Sequence, residues 1–141
     1  MKLTEHFSLE ELTRTSRNAV NVPGIEEKEA LKLLAEKVLQ PAREILGRPI
    51  RVSSGYRSVV TNRLVGGAKT SQHIKGEAAD IQCDNNQELF ENLVKLGQHP
   101  KSKVDSVTVM EKIGHFLDDA VHKIYKDLKK EGFNKQEASP L

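Results

Sequence analysis

An imidazole and a carboxylate stand seven residues apart at His73 and Asp80, within Ser71-Gln72-His73-Ile74-Lys75-Gly76-Glu77-Ala78-Ala79-Asp80. Both groups are ligands for a divalent zinc ion, and a catalytic zinc site joins such ligands to a third while keeping one position open. Gly76 allows the backbone to turn so that the two side chains face one point. Ala78 and Ala79 leave room around it. The chemistry implied is metal binding, and it requires a scaffold that fixes both ligands and supplies another.

Bulk composition bounds that scaffold. A chain of 141 residues is expected to build one domain around a single hydrophobic core. The net charge of +2, with both signs interspersed, lacks the electrostatic footprint of a nucleic-acid binder, and the few aromatics, with no Trp, offer no stacking platform. The lone Cys83 excludes an internal disulfide and a Cys-rich zinc site, and it reads as a small buried hydrophobe. No apolar run approaches the length of a membrane span, so no membrane partner is expected. Met1-Lys2-Leu3-Thr4-Glu5-His6 leads into no apolar signal region, and the expected location is the cytoplasm in which the chain is made.

The elements that must position the pair follow from capping and periodicity. Ser8 and Glu11 spell a capping box for a short helix over residues 9–15. Ala30, Leu31, Leu34, Val38, Leu39, Ala42, Ile45 and Leu46 recur at helical spacing and predict the main core helix over residues 26–46. Pro41 is expected to kink or split it, and Gly47 to end it. Short strands are expected over residues 50–53 and 77–83, with a helix over 59–65 between them. A further helix starts from a cap at Asn85 or Asn86, residues 99–103 read as a loop, and 104–109 as a strand. Ile113, Phe116, Leu117, Ala120, Val121, Ile124 and Leu128 form another helical stripe, and the tail from 134 to 141 reads as frayed, leaving 1–133 as the domain.

Several motifs together resemble a known family. They are Phe7-Ser8-Leu9-Glu10-Glu11-Leu12, Leu39-Gln40-Pro41-Ala42-Arg43, Ile50-Arg51-Val52-Ser53-Ser54-Gly55-Tyr56-Arg57-Ser58, Asn62 with Val65-Gly66-Gly67, and Ser71-Gln72-His73 through Asp80. The chain resembles the zinc D-alanyl-D-alanine carboxypeptidases, above all their phage and bacterial endolysin-like branch, over roughly residues 5 to 83. The resemblance implies an α+β fold in which a small antiparallel sheet carries the metal and helices pack against it. It implies a zinc metallopeptidase that hydrolyses D-amino-acid peptides, such as peptidoglycan stems, by a metal-activated water. His73 and Asp80 match the family's first two zinc ligands. Arg57 matches an arginine that overlooks the metal, where its planar fork suits a substrate carboxylate or a developing oxyanion. Ser71 and Gln72 would orient the site by hydrogen bonds, with a plain turn role as the alternative for Ser71.

The last third departs from the family pattern, in which a strand bearing an acid is followed by Trp-Val-His or a similar element. Asp119-Ala120-Val121-His122 keeps an acid three residues before a histidine, offering His122 as third ligand and Asp119 as catalytic base. His115 competes as ligand and Glu111 as base. The helical stripe over 113–128 is not how a ligand strand reads. The alternative to an enzyme is therefore a catalytically inactive family member that binds cell wall or protein through a remodelled site. His6 and His99 fall outside every matching motif and are expected at the surface. A wall substrate would be reached after release on lysis.

Overall fold

Capping sets where the helical layer begins. The computed structural model describes residues 1–111. Ser8 Oγ accepts the Glu11 N–H at 3.2 Å and starts α1 (Leu9–Thr13), which stops short of the expected residue 15. The Gly24 N–H donates to Glu27 Oε1 at 3.0 Å and opens α2 (Ile25–Leu34). From there the helix runs on through a π-helical segment, Ala35–Leu39, into α3 (Gln40–Leu46). The interruption expected at Pro41 thus takes the form of a change in helix type. A proline ring crowds the carbonyl four residues back; here the Gln40 N–H reaches five back, to the Ala35 carbonyl, and the wider turn makes room.

Four short strands follow: β1 (Arg51–Ser54), β2 (Ala78–Gln82), β3 (Lys101–Ser102) and β4 (Val107–Met110). They form one sheet in the order β1-β2-β4-β3, with every neighbouring pair antiparallel. Between β1 and β2 lie α4 (Val59–Leu64), capped by Ser58, and a 3-10 turn (Gln72–Lys75); between β2 and β3 lies α5 (Asn86–Lys95), capped by Asn85. The strand expected over 104–109 is shorter than that. Val104 is 97% exposed in the β3–β4 turn, which the Lys103 N–H closes on the Ser106 carbonyl at 2.8 Å. The expected loop over 99–103 contains β3, which carries no apolar residue to announce it.

The sheet divides the molecule's work between its two faces. Val52 opposite Ile81, Ala79 opposite Val109 and Ile81 opposite Val107 turn one face toward a core built from Phe7, Leu12, Leu31, Leu34, Leu39, Leu89 and Leu93. Each fully buried leucine there contributes about 1.5–3 kcal/mol. Strand alternation then sends Asp80 and Thr108, opposite each other in register, to the other face. This is the α+β fold the resemblance implies. The expected helix over 113–128 and the tail from 134 lie outside the described residues.

Candidate metal centre

His73 sits in the 3-10 turn whose cap is Ser71: Ser71 Oγ accepts the His73 N–H at 3.2 Å. Ser71 therefore acts as the turn residue that fixes the His73 backbone, while Gln72 Oε1 is buried without a hydrogen-bond partner among the described residues. The turn ends at Gly76, at φ 73°, where a Cβ would lie 2.6 Å from the Glu27 carbonyl oxygen. Only glycine meets both conditions, and the reversal it permits leads straight into β2 and Asp80.

The imidazole is only 6% exposed and the Asp80 residue 7%. His73 Nδ1 lies 2.8 Å from the Gly55 carbonyl. A carbonyl only accepts, so a proton belongs on Nδ1, and in the neutral ring the lone pair is on Nε2. Nε2 then faces Asp80 Oδ2 at 3.6 Å. Two acceptors confronting each other in a buried place call for a cation between them. Two zinc ligands with ~2 Å bonds at a tetrahedral angle lie about 3.3 Å apart, close to this separation. The donor set, the tautomer and the spacing fit two positions of a zinc site. Among the described residues no group of three or more His, Cys, Asp and Glu side chains is placed to hold a metal. His115, Asp119 and His122 lie outside the described residues.

Asp80 is held from several directions. Thr108 Oγ1 donates to Oδ1 at 2.5 Å across the β2–β4 register. Lys103 Nζ reaches over from the β3–β4 hairpin to 3.4 Å from each carboxylate oxygen. Burial pushes the Asp80 carboxyl up, while the Thr108 hydrogen bond and the Lys103 charge pull it down, and a protonated imidazole at His73 would pull it further, well below the usual range.

Arg57 completes the constellation. Its Nε donates to Ser54 Oγ at 3.1 Å and its Nη1 to Asn62 Oδ1 at 3.0 Å, leaving Nη2 3.7 Å from Asp80 Oδ2. Its backbone N–H also donates to the His73 carbonyl at 3.0 Å, which ties the Ser-Gly-Tyr-Arg-Ser loop to the histidine turn. Asn62 is fixed in turn by donating to the Ala68 carbonyl at 2.9 Å. A Cβ at Gly67 would fall 2.1 Å from Asn62 Oδ1 and 2.9 Å from Arg57 Nη1, so glycine there keeps the guanidinium's cradle open. Burial pulls the Arg57 guanidinium below its ordinary value, and the Asp80 charge partly restores it.

The structure thus brings together His73, Asp80 and Arg57 from the sequence expectation. His6 and His99 are exposed, and Cys83 is partly buried at the edge of the core. Thr108 and Lys103 were not among the expected site residues. A lone threonine between Val107 and Val109 was the available signal, since alternation sends it to the face opposite the valines. Lys103 had none, because its approach depends on the hairpin. Asn21 was missed as well. Its Nδ2 donates to the Thr13 and Tyr56 carbonyls at 2.8 and 2.9 Å, and its Oδ1 accepts the Ser58 N–H at 2.7 Å.

Comparison with known proteins accords with this geometry. Over 44 residues, 30% of this chain, the sequence is 50% identical to a zinc D-Ala-D-Ala carboxypeptidase of Streptomyces albus G, and the match spans 17% of that protein's length. The family model for peptidase M15 matches residues 5–117, a stretch that includes Arg57, His73 and Asp80. The chain belongs to the peptidase M15 family.

Proposed function

We propose that this chain is a zinc-dependent metallopeptidase that hydrolyses D-amino-acid-containing peptides of the peptidoglycan type. The observation that carries this reading is the buried confrontation of His73 Nε2 and Asp80 Oδ2 at 3.6 Å, with the Nδ1 proton anchored on the Gly55 carbonyl. Family membership and the short match to a carboxypeptidase support it. When bound, zinc supplies a Lewis acid that polarises a scissile carbonyl and a water acidic enough to act as a nucleophile near neutral pH.

The residues of the chain do the rest. His73 and Asp80 would hold the ion, and Thr108 steadies the Asp80 carboxylate by donating to Oδ1. Arg57, with two of its donor positions committed to Ser54 and Asn62, presents the remaining nitrogen on the same side as Asp80. There it stabilises a carboxylate or the negative charge that builds on a carbonyl oxygen. His122 is the proposed third ligand, with His115 as the competing one. Asp119 is the proposed base, with Glu111, which directly follows β4, as its competitor. The wall is proposed to be reached after release from the cytoplasm.

Zinc content and turnover test the proposal together. The purified chain should hold about one zinc and cleave D-alanyl peptides in a chelator-sensitive way, and His73→Ala should lose both properties while remaining folded. A chain that takes up no zinc when the metal is added back would end the metallopeptidase reading. Zinc uptake with no turnover on a panel of wall peptides, but with peptide binding, would leave a binding module instead.

A further inference from the structure

Beside Arg57 lies a cleft of about 370 Å³, a volume at the small end of ligand pockets, which run from about 300 to 1,000 Å³. Ser54 and Arg57 line it together with Arg14, Thr15, Ser16 and Arg17, which follow α1. Among the described residues that line it, three are arginines and none is acidic. Among the described residues no salt bridge involves Arg14 or Arg17. Like charges gathered along one concave wall repel each other and focus a positive potential into the cleft, and a bound anion relieves that repulsion.

The arginine segment is also indexed to the metal centre. Asn21, at its far end, bonds the Thr13 carbonyl at its near end and the Tyr56 carbonyl and Ser58 N–H on either side of Arg57. The Tyr56 N–H donates to the Leu12 carbonyl at 2.7 Å, and the Arg17 N–H to Thr15 Oγ1 at 3.1 Å. The loop carrying Arg14 and Arg17 is therefore clamped at both ends to the backbone that carries Arg57.

We propose that this cleft is a subsite for a carboxylate-bearing residue of the peptide substrate, and that Arg14 and Arg17 set the preference for it. A guanidinium fork suits a carboxylate, and Thr15, Ser16 and Ser54 add hydroxyl-bearing side chains to the same lining. The role of the bound peptide as a substrate rests on the peptidase reading above; the acidic preference does not.

Calorimetric titration of the full chain, with chelator present, tests it using the tetrapeptide Ala-D-Glu-Lys-D-Ala and its D-Gln counterpart. The acidic peptide should bind about tenfold more tightly, the worth of one charge-assisted hydrogen bond gained, and high salt should erode the difference. Replacing both arginines, Arg14→Gln with Arg17→Gln, should equalise the two peptides while leaving zinc content and thermal midpoint unchanged. The Lys pair at the same positions should retain part of the preference. Equal binding by the unaltered chain, or a preference that survives the Gln pair, would overturn the proposal. So would inorganic phosphate binding more tightly than the acidic peptide, since that assigns the cleft to phosphate. With zinc restored, chelator-sensitive hydrolysis lacking any acidic preference would sink the subsite alone. An acidic preference in a chain that never hydrolyses peptides would sink the peptidase reading alone.

Discussion

Asp80 is approached by His73, Lys103 and Arg57, and which of them neutralises it would decide how readily it takes the proposed metal. Arg57 is committed to Ser54 and Asn62, and the neutral His73 tautomer brings no charge. Lys103 differs from both. Its ammonium stands 3.4 Å from each Asp80 oxygen, on a side chain half exposed at the hairpin turn, so it can leave at little cost. On the reading of Asp80 as a zinc ligand, ammonium and zinc compete for one carboxylate. Lys103→Met should then tighten zinc binding about two- to fivefold, the modest value expected of a half-exposed ion pair. A competition titration against a chelating dye measures it. Unchanged or weaker binding in the variant would mean that Lys103 does not oppose the metal.

At the scale of elements, the two proposed ligands depend on a single reversal between the 3-10 turn and β2. Gly76 supplies it at φ 73°, against the Glu27 carbonyl of α2. Gly76→Ala meets two penalties at once: a left-handed backbone that L side chains disfavour and a Cβ 2.6 Å from a backbone oxygen. Chemical denaturation should show a loss of at least about 1–3 kcal/mol. Zinc binding should weaken in the same variant, because the turn that aims His73 must shift. A variant as stable as the parent would show that α2 can retreat from the turn.

These elements differ in how plainly the sequence announced them. The Ser8 cap, a cap at Asn85 or Asn86, Gly47 past α3 and the glycine before Asp80 were legible because each is a local rule with a local cause. The π-helical segment was legible only as an interruption, since Pro41 marks the problem but not the geometry that solves it. β3 was invisible, because Lys101 and Ser102 gain their strand conformation from β4 and not from their own pattern. The site followed the same division. His73, Asp80 and Arg57 lie in dense motifs, whereas Thr108, Lys103 and Asn21 reach the site through sheet register, a hairpin and a loop clamp. Contacts of that kind are set by tertiary structure, which spacing along the chain does not encode.

For the molecule as a whole, stability on the acid side draws on carboxylates that folding holds in charged form. Arg48, between α3 and β1, donates to Asp84 at 2.7 Å and to Glu88 at 2.5 Å, so it ties the end of the long helix to the start of α5. Hydrogen bonds from Arg48 come first in holding both carboxyls below their ordinary values, with desolvation opposing them. A carboxyl with a depressed folded value contributes stability above its unfolded value and loses that contribution as pH falls through the folded one. The link should therefore act fully near neutrality and fade as the pH falls below the ordinary carboxyl range, about 4, and through the depressed folded values. Both acids are exposed, so the effect is small and screened by salt. Urea unfolding of Arg48→Met against the parent chain, with chelator present, should show a gap at pH 7 that narrows as the pH falls below the ordinary carboxyl range. High salt should narrow that gap at neutral pH. A gap that stays constant with pH would mean that Arg48 acts through packing of its aliphatic stem and not through its charge.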